Sequence, residues 1–482
     1  MNASRTSRAA LFWSAAETTG QQSVQLLVYI VLARLIKPSE FGLTALLAIF
    51  FAVGQSLADG GFSNALIQKK NADEVDRCTV FYFNLFVGLV LACSLFASGG
   101  FIADYYGAPV LKPLCQYMSL MFLATSSGLV QQAITRKELD FLPRAKASVV
   151  ASIGSGAISI TMAAMGYGVW ALATQMILMR LLQSSMLWLL CDWRPKSRFS
   201  LHRLRQMFGF GSKMLAASLL SAVFANIYAL VIGKAYSITD VGYYSNAKRY
   251  QEYPANNLTT IFNRVSFPAF SKFQDDKDHL RELFKNTVRT SSMFIFPVMA
   301  LLCGIARPLF ETVLSAKWLP SVPLFQVLCV AGVFQPIAAI NLSCLLALGK
   351  SGNFLALEIV KRSLSVLALL ITYRFGIFWI VVGEASLAIV HFFINTFFTG
   401  RYLSVNGFQQ FRVLAPSFLL SACILLAAFA GTTLATKPVW QCLIGAFSGL
   451  VAGTLFAVLF LGLSVARLRH LLSNWKTVLG IV

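Results

Sequence analysis

The sequence predicts an all-α, polytopic membrane protein of about fourteen transmembrane helices. Three observations lead there. The 482-residue chain is 57% hydrophobic and only 12% charged, with a mean hydropathy of +0.69, whereas soluble domains carry about 25% charged residues. Apolar runs of the ~20 residues that one bilayer crossing requires recur along nearly the whole chain. Finally, the basic residues concentrate in every second loop between those runs.

The candidate spans fall at 11–35, 41–67, 78–101, 113–134, 147–165, 169–191, 209–233, 241–267, 289–306, 322–348, 353–373, 376–399, 413–433 and 438–464. The runs are too long and continuous for barrel strands, which alternate in polarity. Loops are short, which leaves no room for a sizeable extramembrane domain. Arg5 and Arg8 precede an apolar stretch, as in a secretory leader. That stretch is long and interrupted by Glu17 and several Gln, so it reads as a retained first span. The nine cysteines are scattered without a CxxC pair and read as small packing residues.

The net charge is +21, with 40 Lys and Arg. Counting from the N-terminus, alternate loops hold most of them: Lys69, Lys70 and Arg77, then Arg136, Lys137, Arg144 and Lys146, then Arg194 through Lys213, then Lys272 through Arg289. The intervening loops hold few, such as Lys37, Lys112 and Lys234. The positive-inside rule then places both termini in the cytoplasm, and the charge needs no nucleic-acid partner. Two basic loops, around 199–208 and 280–288, have apolar residues at helical period and read as short interfacial helices on anionic headgroups.

The chain also repeats itself. At a shift of 200 residues Arg34 meets Lys234, Glu40 meets Asp240 and Gly42 meets Gly242. Pro113-Leu114-x-Gln116 matches Pro323-Leu324-x-Gln326, and Gly168-Val169-Trp170 resembles Gly376-Ile377-Phe378-Trp379. The order is kept and the shift grows slowly. This predicts two six-helix bundles, 1–200 and 201–400, then two further helices and a tail over 401–482. Transporters built from repeated halves place the substrate path between them and alternate access by rocking.

Polar residues inside spans mark the expected path. The eighth span carries Tyr244, Asn246, Lys248, Arg249, Tyr250, Glu252, Asn256, Asn257, Asn263 and Arg264. A charge at bilayer centre costs about 2.5–3.5 kcal/mol even on the mildest scale, so this helix belongs against a water-filled cavity. Lys248, Glu252, Asn256 and Asn263 are spaced to share a face, and Pro254 is expected to kink or unwind the helix locally. Cations hold phosphates, while Tyr, Asn and Gln suit sugar rings and hydroxyls. The substrate-binding candidates are therefore Lys248, Arg249, Glu252, Asn256, Arg34, Tyr250, Lys361 and Arg362, with Lys213, Lys234 and Arg264 at span ends. Lys361 and Arg362 have an alternative, pairing with Glu358 in one helix. Acids within spans are candidates for ion coupling: Asp59, Glu384 and Glu17. Glu384 precedes His391 by seven residues, so the two share a helix face. No Walker A motif is present, and neither a metal nor a cofactor is expected.

Several stretches carry a family resemblance. They are Glu40-Phe-Gly-Leu; Asp59-Gly-Gly-Phe-Ser-Asn-Ala-Leu-Ile-Gln-Lys69; Phe267-Pro-Ala-Phe-Ser-Lys-Phe-Gln-Asp-Asp-Lys-Asp-His-Leu-Arg281; and Lys317-Trp318 followed by Val322-Pro-Leu-Phe-Gln-Val-Leu328. Together these resemble the Wzx-type polysaccharide exporters, in the colanic-acid-exporter branch of the multidrug/oligosaccharidyl-lipid/polysaccharide superfamily. The resemblance covers 10–400. It implies two six-helix bundles around a central cavity, no ATP hydrolysis, and an undecaprenyl-diphosphate-linked repeat unit as substrate. A polysaccharide polymerase and export machinery are the partners such a protein would meet. Two other readings stand beside it: a multidrug cation antiporter of the same architecture, and a membrane glycosyltransferase or polymerase using Asp276-Lys277-Asp278 as a DxD. The second lacks a soluble catalytic domain around that motif.

Overall fold

A computed structural model describes residues 20–69, 71–138 and 140–461. Helix occupies every predicted span, the first being described from residue 20 onward, and no strand is found among the described residues. Within a bilayer each backbone N–H and C=O must be satisfied inside the protein, and the helix does this locally. Nine helices among the described residues are long and apolar enough to cross a membrane by themselves. Contacts divide the chain into two compact units, Met1–Gly242 and Tyr243–Val482.

The first unit contains α1 (20–35), α2 (Pro38–Asp59), α3 (Phe62–Gln68), α4 (Glu74–Tyr106), α5 (Leu111–Met118), α6 (Leu120–Ser126), α7 (Leu129–Lys137), α8 (Leu142–Ala164), α9 (Val169–Leu190) and α10 (Leu201–Ala235). The second span is broken between α2 and α3 at Gly60 and Gly61, both left-handed with φ of 54° and 72°. A Cβ at Gly61 would overlap the backbone of Gly211 on α10, so the break is also where α10 makes its close approach. Helix α8 packs on α9 through buried Ser148, Ser152, Ser155 and Ser159, small residues at three- and four-residue spacing that let helices approach closely. Gln183 on α9 donates to the Ser148 hydroxyl at 3.0 Å.

Helix α10 runs 35 residues without a break and packs on α2, α3 and α4. The expected interfacial helix at 199–208 is therefore its first turns and does not lie separately on headgroups. Its apolar side, Leu204 and Met207, is buried against Phe62, Val80 and Phe81. The preceding connection is pinned to α4: Trp193 Nε1 donates to Glu74 at 2.9 Å and the Ser200 N–H to the Thr79 hydroxyl at 3.2 Å. Arg203 stands 2.9 Å from Asp73, the residue that caps α4 by accepting the Asp76 N–H. That N–H, with Arg203 beside it, holds the Asp73 carboxyl below its ordinary pKa. Asp76, fully buried, is paired with Lys69 at 2.6 Å.

The start of α11 (Ile238–Lys272) also lies in the first unit. Here the repeated residues meet. A Cβ at Gly42 would overlap the carbonyl oxygen of Ile238, and a Cβ at Gly242 would overlap that of Pro38. Pro38 and Ile238 are themselves 200 residues apart, so the contact is reciprocal across the repeat. Glu40 and Asp240 reach back alike: the Lys37 N–H donates to Glu40 at 3.1 Å, and the Ser237 hydroxyl donates to Asp240 at 2.7 Å.

The second unit holds the rest of α11, then α12 (Lys277–Gly304), α13 (Ala306–Leu309), α14 (Ser321–Ala347), α15 (Ser351–Thr372), α16 (Ile377–Leu403), α17 (Gly407–Thr433) and α18 (Pro438–Leu461). Helix α12 packs on α14 and α17, α17 forms a hairpin with α18, and α16 lies between α14 and α15. The residues expected on headgroups at 280–288 are instead the first turns of α12. Leu280, Leu283, Phe284 and Val288 are buried in protein, with Phe284 against Phe270. Helix α11 continues through Pro254 without unwinding, so of the two expected effects of the missing N–H local unwinding does not occur.

Candidate functional site

Most of the sequence-derived candidates lie on α11, α15 and α16 in the second unit. Tyr244, Lys248, Glu252 and Asn256 recur every four residues, so they line one stripe of the helix. Lys248 Nζ lies 3.0 Å from Glu384 Oε1 on α16. The Tyr244 hydroxyl donates to the other carboxylate oxygen at 2.8 Å, and Lys248 Nζ donates to the Tyr244 oxygen at 2.9 Å. The three groups form a closed triangle of charge-assisted bonds, each made stronger by the ionised partner. Both ionic side chains are about four-fifths buried, at 21% and 19% exposure. Lys248, Arg249 and Glu384 all stand within electrostatic reach of Glu252.

Farther along the stripe the chemistry becomes neutral. Asn256 accepts a hydrogen bond from Gln335 on α14, and the Ser343 hydroxyl donates to Asn263 at 3.0 Å. Tyr250 sets its ring edge-on to Phe310 at 5.9 Å. Arg249, Arg264 and Asn256 are exposed. A second ionic group lies on α15. Lys361, largely buried, is paired with Glu358 one turn earlier, and Arg362 stands 3.5 Å from the same carboxylate. His391 on α16 lies beside this group, with Nε2 buried and unpartnered. The shared face of Glu384 and His391 is thus divided between two neighbours, Glu384 turning to α11 and His391 to α15.

The remaining candidates are in the first unit. Arg34 is exposed near the end of α1. Lys234 donates to the Tyr105 carbonyl at 2.7 Å and sits 4.0 Å over the Tyr105 ring. Asp59 lines a cavity of about 620 Å³ bounded by α2, α3, α7 and α10. Glu17 lies outside the described residues. Among the described residues no cluster of three or more His, Cys, Asp or Glu could hold a metal ion.

Sequence reasoning missed the direct pairing of a substrate candidate, Lys248, with an ion-coupling candidate, Glu384. The two are 136 residues apart, and no local pattern joins them. Tyr244 was within reach, since it sits one turn before Lys248 on the same stripe.

Residues 31–323 match the family described as polysaccharide biosynthesis protein. The chain is 27% identical over 428 residues to the lipopolysaccharide biosynthesis protein WzxC of Escherichia coli, covering 87% of this chain and 86% of that one. It is also 27% identical to the teichuronic acid biosynthesis protein TuaB of Bacillus subtilis, covering 88% of each. Among solved structures, the lipid II flippase MurJ in its inward closed conformation superposes with a TM-score of 0.75 over 93% of this chain and 98% of that one, at 14% identity. An inward-facing multidrug transporter of the MATE family superposes with a TM-score of 0.60 over 81% and 99%, at 15% identity. At such identities the structural likeness establishes the fold, and the family match establishes kinship. The chain belongs to the polysaccharide biosynthesis protein family.

Proposed function

We propose that this protein moves undecaprenyl-diphosphate-linked oligosaccharide repeat units from the cytoplasmic to the periplasmic face of a bacterial inner membrane, by alternating access coupled to an ion gradient. It acts as a transporter and not as an enzyme. Its two repeated halves, 1–200 and 201–400, supply the alternation, and the basic loops and both termini face the cytoplasm. Its product passes to polymerase and export machinery.

The observation that carries this reading is the triangle of Tyr244, Lys248 and Glu384. A lysine at bilayer depth needs an anion, and Glu384 fills that need in the resting protein. A diphosphate carries more negative charge and more acceptor oxygens than one carboxylate, so it competes for Lys248. Displaced, Glu384 loses its cation and becomes a site for a proton or a sodium ion. Exchange at one lysine thereby links the substrate cycle to the ion cycle. Arg249, Tyr250, Glu252 and Asn256 continue the path along α11. Arg34 is a further diphosphate contact in the first unit. Lys361 and Arg362 can serve only after a similar displacement from Glu358.

The test is flipping of a lipid-linked oligosaccharide in vesicles holding the purified protein, with and without a pH or sodium gradient. Lys248→Ala should slow flipping at least about tenfold, equivalent to ~1.4 kcal/mol. Glu384→Gln should remove the response to the gradient. Normal flipping by the Lys248 variant would sink the reading. So would transport of a lipophilic cation in place of the lipid, which is what a multidrug antiporter would do.

A further inference from the structure

The cavity in the first unit is polar in a different way from the α11 stripe. Its polar lining includes two matched pairs. Gln55 and Asp59 stand one turn apart on α2, and Gln132 and Arg136 one turn apart on α7. Asn64 on α3 and Ser218 on α10 face the same space. Among the described residues, the side-chain amides of Gln55, Asn64 and Gln132 and the guanidinium of Arg136 make no hydrogen bond or ion pair. One carboxylate oxygen of Asp59 is buried and likewise unpartnered. The site is built by the fold: the Gly60–Gly61 break ends α2 at Asp59, and the backbone of α10 closes against that break.

The unused groups define the ligand. One acid and one base cancel, so neither a bare phosphate nor a simple cation is favoured. The volume of about 620 Å³ lies in the range of small-molecule sites and far exceeds that of an ion. An apolar guest would cover the buried Asp59 oxygen and strip water from the amides and the guanidinium without replacing their hydrogen bonds, which opposes its entry. A ligand whose every substituent both donates and accepts satisfies a carboxylate, three amides and a guanidinium together, and the sugar hydroxyl is that substituent.

We infer that this cavity is a sugar-binding site, taking uncharged pyranose rings of the carried oligosaccharide, with Asp59 accepting from ring hydroxyls and Gln55, Asn64 and Gln132 both donating and accepting. The inference rests on the proposed lipid-linked substrate and adds a separate place for its sugar. Sugar recognition then belongs to the first unit, and diphosphate recognition to Lys248 in the second.

The experiment measures binding of two probes to the purified full-length protein: undecaprenyl diphosphate, and the same lipid carrying an oligosaccharide from the host. Asp59→Leu and Gln132→Leu should each weaken the sugar-bearing probe about tenfold and leave the sugar-free probe unchanged, which also shows that the variants are folded. Lys248→Ala should weaken both probes. Should the leucine variants lose both probes, the near-isosteric Asp59→Asn and Gln132→Met decide: a loss confined to the sugar-bearing probe supports the inference, and an equal loss or none overturns it. If Asp59→Asn instead changes the sodium or pH dependence of the sugar-free probe while the gain from sugar stays intact, Asp59 marks an ion site and the inference is overturned. Wild-type protein binding neither probe overturns the proposed substrate, and this inference with it.

Discussion

Helices α2 and α11 begin alike and continue differently. Each starts with an acid, Glu40 or Asp240, folded back on the residue three positions earlier. Each then presents a glycine, Gly42 or Gly242, against the other's backbone. Beyond that point α2 is apolar enough to cross a bilayer by composition, and α11 is not. Its body carries Lys248, Arg249, Glu252 and a run of asparagines. Geometry has been kept where the two helices touch, and side chains have diverged where they face other things. The matched starts follow from the contact between the two helices, and the bodies differ in composition.

The strongest way to break the comparison is in the body of α11. Removing one partner from a buried ion pair leaves an uncompensated charge, which costs about 3–5 kcal/mol. Lys248→Ala should therefore lower thermal stability in detergent markedly, whereas Lys248→Met combined with Glu384→Leu should recover most of the loss. The double variant should be stable and still fail to flip lipid. Recovery of transport along with stability would mean that the pair is structural only.

Much of this fold was legible in the sequence, because bilayer depth imposes a length on apolar runs and the loops carry a charge signature. Even Gly42 and Gly242 were visible as a repeat, although the sequence could not say that they touch. The interfacial helices were misread for a definite reason: Leu204 and Leu280 have the same helical period whether they face lipid headgroups or a protein neighbour. The site was legible in part. Glu384 stands out as a charge in an apolar run and Lys248 as part of an unusually polar span, but their pairing is a tertiary fact. Gln132 gave no signal, since a neutral amide in a span is ordinary until a cavity opens beside it.

The shared ends can be tested next. Gly42→Ala and Gly242→Ala each place a Cβ against a backbone carbonyl, which has no side-chain freedom with which to retreat. Overpacking of this kind costs about 1–3 kcal/mol. The reciprocal geometry makes the expectation specific: the two variants should lower the melting temperature by similar amounts, and the double variant should cost less than their sum, because one displacement relieves both overlaps. A large loss at one glycine and none at the other would mean that the contact is not reciprocal in the working protein.

The smallest effect belongs to a third helix start of the same design. At α4, Asp73 and Asp76 each accept the other's backbone N–H, as a capping box does, but here Arg203 from α10 adds a charge that the first turns of α2 and α11 do not receive from such a neighbour. The carboxyl of Asp73 is held below its ordinary pKa first by the Asp76 N–H and then by Arg203. A lowered folded pKa stabilises the protein above the unfolded value of about 4, and that contribution disappears as pH falls through the folded value. Asn caps helices about as well as Asp, so Asp73→Asn removes the charge and keeps the cap. An ion pair this exposed is worth less than about 1 kcal/mol. The melting temperature of Asp73→Asn should therefore lie slightly below that of the wild type at pH 7, and the two should converge as the pH is lowered past 4. A gap that persists in acid would assign the stabilisation to the cap itself, making α4 a plain copy of the starts of α2 and α11.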